Sequence, residues 1–415
     1  MGLNLLPNLP LITCSLLSRG IMVLSVAFTF DPNLIPGLSV FPEVREVFGK
    51  LGSDLLGGGR STYMVADANR EMLQKAVEQA HSHNIEFNYL LNAANLDGFE
   101  QTRDGQKKIR RFLDYLSELN VDSVTVSVPY LLKIVKSSYP HFKTRVGVFA
   151  RISTPRAAQW WEEMGADILC ISAISCNRRF DLLKSIRSSV KCDLQLIVNA
   201  CCLQECPFEL AHMNMLTHAS REGSRMHSFN LDYCFLHCSS YRLRDKSFFL
   251  KSIWIRPEDL SLYEKSGYHH FKIVDRACFP EMLIKRVKAY AERSFDGNLM
   301  ELIAPVARIK SYKTILPFFR PDKIKPGTVI RILKFIDSAL IDRFDEDSPV
   351  YIDNKKLDGY IRKIFKKGCD SSQCRTCSLC EEYSKNAVTI KPEYKKEIIS
   401  QIESLEKGLN DGSIF

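Results

Sequence analysis

Eight of the fourteen cysteines of this chain fall into two sets of four whose spacing suggests metal chemistry. Cys369, Cys374, Cys377 and Cys380 read C-x4-C-x2-C-x2-C. Three thiols at successive spacings of three wrap one tight loop, and four converging thiolates are what a four-iron four-sulfur (4Fe-4S) core requires. Ferredoxin-type runs use the same x2-x2 spacing. Zinc is the competing ion, but structural zinc sites usually split into two C-x2-C knuckles with a longer gap. The pattern therefore favours an iron–sulfur cluster, with zinc at this C-terminal set as the alternative. The predicted helices Lys356–Phe365 and Glu381–Asn386 would hold the loop.

The other set is looser. Cys202-x3-Cys206-Pro207 directly follows a predicted strand, Cys234-x3-Cys238 comes after a loop, and Cys201 is a substitute for Cys202. Spacing alone leaves a metal site and ordinary core thiols equally open. His212, on the helix that follows Cys206, is either a donor behind the site, a substrate contact or a helix-surface histidine. Asp232-Tyr233 reads most simply as loop structure.

Several chemistries are missing. No C-x3-C-x2-C run exists, because Glu209 stands where the third thiol would fall. There is no H-E-x-x-H, G-x-S-x-G, Walker A or G-x-G-x-x-G pattern. His218 and Ser220 are two apart on a predicted helix, so they point apart. Gly57-Gly58-Gly59-Arg60 is either an anion cradle of backbone N–H groups or a plain tight turn.

The elements that must position these residues alternate between strand and helix. Predicted strands are Val23–Thr29, Asp54–Leu56, Glu86–Leu91, Ser123–Val128, Arg145–Ala150, Asp167–Ile171, Leu194–Asn199, Ser252–Ile255 and Phe271–Val274. Asp54–Leu56 is the weakest, and one of the nine is surplus. Amphipathic stretches such as Ala68–His83, Gly105–Leu119, Thr154–Met164 and Phe279–Arg293 separate them. This is the pattern of βαβ units closing into a TIM-like (β/α) barrel. Chemistry in such barrels sits where strands end and helices begin. That rule selects Asn92, Asn199, Arg256, Asp275 and Arg276 as substrate contacts, with His212 beside them.

With 415 residues, the chain suits a barrel at 22–300, a linker at 301–326 and a smaller, mostly helical cysteine-bearing domain at 327–415. Residues 1–21 are apolar, with Pro7 and Pro10 and no basic side chain before Arg19. They fit neither a secretory signal nor a membrane span, and are expected to be an extension. So many cysteines without a secretory pattern imply a reducing, cytoplasmic setting with metal ligands rather than disulfides. The net charge of +9 suits an anionic partner, RNA or a small molecule, as well as plain solubility.

At Asn199–Ser220 the run NACCLQECPFELAHMNMLTHAS, followed by DYCFLHC, resembles the collagenase-like peptidases of family U32. GKLGSDLLGGGRSTYM, VDSVTVSVPYLLKIVK and IWIRPEDLSLYEKSGYHHFKIVDR extend the likeness to roughly Met22–Val388. The resemblance implies either the peptidase activity of the family name or an oxygen-independent hydroxylation of transfer RNA, ribosomal RNA or ubiquinone precursors. Members of the second kind hold a 4Fe-4S cluster on four barrel cysteines, and some use prephenate. Carried over by position, those ligands are Cys202, Cys206, Cys234 and Cys238. The spacing around the first pair and the extra C-terminal set place the sequence nearer a less characterised branch.

Three functions follow as expectations. A hydroxylase would carry two 4Fe-4S clusters, the C-terminal one relaying electrons from a donor protein. A peptidase would need a nucleophile, base or hydrolytic metal, and the sequence supplies no convincing set. A non-catalytic iron–sulfur or RNA-binding subunit is allowed by charge, though no stacking motif of the RNA-recognition kind is present.

Overall fold

A computed structural model describes residues 21–303, 316–339, 341 and 343–415. Eight parallel strands close into a barrel in chain order: β1 (Val23–Ala27), β2 (Val44–Gly49), β3 (Glu86–Leu91), β4 (Ser123–Val126), β5 (Lys143–Val146), β6 (Ile168–Cys170), β7 (Asp193–Ile197) and β8 (His270–Ile273). The seam is closed by β8, in which His270 registers with Val23 on one side and Gln195 on the other. The expected TIM-like barrel is therefore what the chain forms.

Among helices of eight residues or more, those before β8 are α1 (Arg70–Ser82), α2 (Arg103–Glu118), α3 (Pro129–Ser138), α4 (Pro155–Glu163), α5 (Phe180–Ser189), α6 (Glu209–Ser220) and α7 (Tyr233–Arg244). Their starts have local causes. Asn69 and Thr102 accept hydrogen bonds from the backbone N–H groups of Met72 and Gly105, and Thr154 caps α4 with Pro155 in its first turn. After β8 come α8 (Pro280–Glu292), α9 (Pro326–Ala339), α10 (Tyr360–Lys367), α11 (Leu379–Ala387) and α12 (Pro392–Asn410).

Two predicted strands lie outside the barrel, and one barrel strand was not predicted. Asp54–Leu56 makes only an isolated bridge to Arg221. Ser252–Ile255 is buried but makes only an isolated antiparallel bridge, from Ser252 to Leu203, and β7 pairs directly with β8 without it. β2 reads VREVFG, and its Glu46 points into the barrel, where an apolar pattern would have been the cue. Inside, the Glu46 carboxylate pairs with Arg145 and accepts hydrogen bonds from Ser25, Asn88 and Ser123.

The C-terminal region shares its core with the barrel. Val350, Ile352, Leu357, Tyr360 and Ile364 pack into the same apolar cluster as the barrel strands. A second cluster joins Phe229, Leu236 and Leu243, from the crossover between β7 and β8, to Phe318, Ile332, Phe335, Ile402 and Leu405. Two short antiparallel strands, β9 (Val350–Ile352) and β10 (Val388–Ile390), bracket the stretch that bears the C-terminal cysteines. Residues 1–20 and 304–315, which hold all but the last residue of the expected extension and 12 residues of the expected 301–326 linker, lie outside the described residues. No helix among the described residues is long and apolar enough to cross a membrane.

Candidate metal centre

The crossover from β7 to β8, residues 198–269, is the largest structure at the carboxyl end of the barrel. Cys202 and Cys206 sit on its first loop. Asp232 caps α7 by accepting from the Phe235 N–H at 2.9 Å, and this start places Cys234 and Cys238 one turn apart on one helix face. All four thiols, with Cys201, line a single cavity of about 250 Å³. Its wall is completed by β-strand ends at Asn199 and Val274 and by apolar side chains of the C-terminal helices, Ile332, Phe335 and Leu405 among them.

A buried cation serves this set. Arg242 lies one further turn along α7, its Nη1 3.4 Å from Cys238 Sγ and its Nη2 bonded to the Cys201 carbonyl. Burial pushes the Cys202 and Cys234 thiols up to about 12 and raises Cys206 and Cys238, while Arg242 pulls Cys202, Cys206 and Cys238 back down. Such thiols keep their protons until an electrophile displaces them, and metal binding does so. The described cysteines are all free.

A tetrahedral zinc with Zn–S near 2.3 Å holds its sulfurs about 3.8 Å apart. Among the described residues no three thiols lie within 4.8 Å of one another, in either set. A four-iron core is wider and holds its thiolates further apart. Four thiols around one cavity with a buried guanidinium are compatible with metal binding. The trio of donor atoms that does lie within 4.8 Å is His212, Asp232 and Cys234. Asp232 Oδ2 meets His212 Nε2 at 3.2 Å, while its Oδ1 is spent on the helix cap.

The C-terminal set lies against the outside of the same loop. Cys369 Sγ is 3.9 Å from the Gln204 side chain, and Cys380 Sγ is 3.2 Å from the Tyr360 hydroxyl. Cys374 and Cys377 are exposed. Cys369, Cys374 and Cys380 are raised first by burial, Cys380 to about 11, and each also feels the charge of another thiol of the set.

The expected substrate contacts divide. Asn92 sits beside Gly58 and Gly59, and its buried Oδ1 has no hydrogen-bond partner. Arg276 is buried, with no hydrogen bond or ion pair to any described residue; burial and then Arg60 bring its pKa down to about 10. Asp275 lines the cavity, adopts φ 138° and lies 3.6 Å from Arg60 Nε. A non-glycine residue held there is a strained one. Asn199 lines the cavity too, but its amide clamps the two strand ends, donating to the Val274 carbonyl at 2.8 Å and accepting from the Val274 N–H at 2.7 Å. Arg256 is engaged elsewhere: it holds Asp259, the Asn354 carbonyl and Asp358, tying barrel to C-terminal region.

The glycine loop does cradle a negative charge, but an internal one. The Gly57 N–H donates to Asp54 Oδ1 at 2.8 Å, while Asp54 Oδ2 takes Lys50 at 2.8 Å and the Tyr89 hydroxyl at 2.9 Å. Gly57 has φ 76°, and a Cβ there would lie 2.3 Å from the Thr217 carbonyl, so only glycine fits. Glu209, which stands in the sequence where a third thiol would fall, has a place of its own at the site. It is buried on the cavity wall, with Oε2 2.7 Å from Arg151 and Oε1 unpartnered. Its acidic side chain in the first turn after Cys206-Pro207 was the available signal.

Comparison with known proteins adds the following. The family model of peptidase family U32 matches residues 58–296. The chain is 30% identical over 339 residues to the uncharacterized protease MJ1657 of Methanocaldococcus jannaschii, covering 81% of this chain and 87% of that one. A solved structure, the U32 peptidase Mk0906, aligns with 61% of this chain and 93% of its own at 19% identity and a TM-score of 0.44. A glycerol uptake operon antiterminator-related protein of Thermotoga maritima aligns with 49% of this chain and 94% of its own, at 12% identity and a TM-score of 0.27.

Proposed function

The chain belongs to peptidase family U32, and from that premise we propose that it is a cytoplasmic iron–sulfur enzyme of the oxygen-independent hydroxylation type. Its substrate is an anionic small molecule or RNA. One observation carries this reading: Cys202, Cys206, Cys234 and Cys238 line a single cavity at the mouth of the barrel. A cluster bound there would supply one-electron chemistry next to the substrate. Hydroxyl transfer from an organic donor, R–H plus R′–OH giving R–OH plus R′–H, is redox-neutral overall, so an electron-donor protein would prime the clusters rather than be consumed.

The chain's own residues have separable tasks in this proposal. Arg276, with Arg60 nearby, offers a buried positive charge to an anionic group. Asn92 offers an unsatisfied amide oxygen. Glu209 holds or accepts a proton at Oε1, and the apolar wall of Ile332, Phe335 and Leu405 keeps water out. Cys369, Cys374, Cys377 and Cys380 hold the second cluster, at the surface where a donor protein can reach it.

The test is iron content. Anaerobically purified protein should be brown with about eight irons per chain if both sets hold a cubane, and either Cys202→Ala or Cys374→Ala should halve that number. Colourless protein with stoichiometric zinc would overturn the assignment.

A second reading is favoured by the trio His212, Asp232 and Cys234. Three mixed donors with an open position are what a hydrolytic zinc site needs, with Glu209 as base. It predicts cleavage of a fluorogenic peptide that depends on zinc and His212 but survives Cys374→Ala. Both oxygens of Asp232 already have partners, which weighs against it.

A further inference from the structure

Arg178 follows the short helical turn Ala173–Cys176 and precedes α5. It is 2% exposed. Its Nε donates to the Ser252 carbonyl at 3.1 Å. Its guanidinium faces two aromatic rings, with Cζ 4.4 Å from the centroid of Trp254 and 5.6 Å from that of Tyr360.

Stacking satisfies the faces of a guanidinium but not its edge. The N–H donors lie in its plane and need acceptors there. Nη1 and Nη2 of Arg178 are buried and have none. The nearby Tyr263 hydroxyl donates to the Asn177 carbonyl at 2.8 Å, so at most a lone pair of its oxygen is left to face the guanidinium. A fully buried cation with two empty nitrogens is among the costliest arrangements a fold can keep. An acceptor presented to this edge would therefore be strongly favoured.

Its neighbours identify the acceptor. Tyr360, whose ring faces the guanidinium, places its hydroxyl 3.2 Å from Cys380 Sγ. Cys369 Sγ rests on Gln204, on the adjoining loop. The Arg178 charge reaches both Cys369 and Cys380. Arg178 thus lies on the barrel side of the C-terminal thiols, as Arg242 lies beside the cavity thiols. A 4Fe-4S core with four thiolates is net negative, becomes more so on reduction, and presents sulfur acceptors.

We propose that Arg178 is the buried counter-charge and hydrogen-bond donor of the C-terminal cluster and holds its reduction potential up from the barrel side. The proposal rests on the reading that Cys369, Cys374, Cys377 and Cys380 bind a cluster. Arg178 is a positioning and tuning residue, separate from the reacting groups. A fixed positive charge favours the reduced cluster, so it makes this cluster the place where an electron from a partner arrives.

The test is an anaerobic redox titration of the full chain followed by electron paramagnetic resonance, on wild type, Arg178→Lys and Arg178→Met. The signal lost in Cys374→Ala identifies the C-terminal cluster. In Arg178→Met its reduction equilibrium should move at least tenfold toward the oxidised form, about 59 mV for one electron. The cavity cluster should stay put. Arg178→Lys, which keeps the charge but not the fork, should recover part of the shift; if the methionine variant does not fold, the lysine variant should still lie below wild type. A C-terminal cluster that is fully bound in the variants, with an unmoved midpoint, overturns the proposal alone. Wild-type iron content that Cys374→Ala leaves unchanged removes the cluster itself, and the proposal with it.

Discussion

The side chain of Gln204 meets Cys369 Sγ at 3.9 Å. Gln204 stands midway between Cys202 and Cys206, so the loop that carries half of one thiol set touches the other set directly. Two clusters bound there would be near enough for their electron spins to interact. Fully reduced protein should give a broadened, coupled resonance spectrum, and Cys374→Ala should collapse it to one uncoupled signal with about half the iron. Two independent signals in the wild type would show that the sets do not communicate.

Arg242 should govern retention of the cavity cluster. Its Nη1 is bonded to Cys238 Sγ and its charge opposes the burial that raises Cys202 and Cys238. A hydrogen bond to a charged partner contributes about 1.5–3 kcal/mol. Arg242→Met should therefore lower affinity for the cavity cluster by roughly tenfold or more, and Arg242→Lys by less. Iron content after gentle chelation reads this out, with loss confined to the four irons that Cys202→Ala also removes.

The sequence made the barrel legible because most of its strands are short apolar runs separated by capped helices. It hid β2 because Glu46 there is an interior charge, stabilised by Arg145 from a strand nearly a hundred residues away. Spacing singled out the two thiol sets as candidates, and the four thiols of the looser one line a single cavity. Arg178 and Arg242 were not legible, since an isolated arginine in sequence reads as surface charge until its burial is known. Strand-end position pointed to Asn199 and Arg256 as well, yet their hydrogen-bonding groups are consumed by the backbone of Val274 and by Asp259 and Asp358. Position along a barrel strand indicates reach, whereas availability depends on partners distant in sequence.

Arg276 is buried at the barrel mouth without a hydrogen bond or ion pair to any described residue. A buried cation of this kind destabilises the free protein and rewards a bound anion. Thermal unfolding of wild type should rise with added phosphate or a dicarboxylate. Arg276→Met should start at a higher midpoint than wild type and respond at least tenfold more weakly to the anion, while its iron content stays unchanged. An equal response in both proteins would remove Arg276 from the substrate site.

His270 gives the fold an acid-sensitive point. It lies in β8 with Nε2 3.7 Å from Asp193 Oδ2. Burial brings its pKa down to about 4 from the ordinary 6.5, against the pull of Asp193. The unfolded chain therefore takes up a proton as pH falls through 6.5, while the folded chain does so only near 4. Between these values the unfolded state binds more protons, so stability falls as pH falls, and the loss is complete below about 4. Above 6.5 both states are neutral and His270 adds no pH dependence. Replacing it with glutamine should flatten the stability profile between pH 6.5 and 4, sparing on the order of 3 kcal/mol at the acid end. Denaturant unfolding at several pH values measures this, and identical slopes for the two proteins across that window would show that His270 is protonated in the folded barrel.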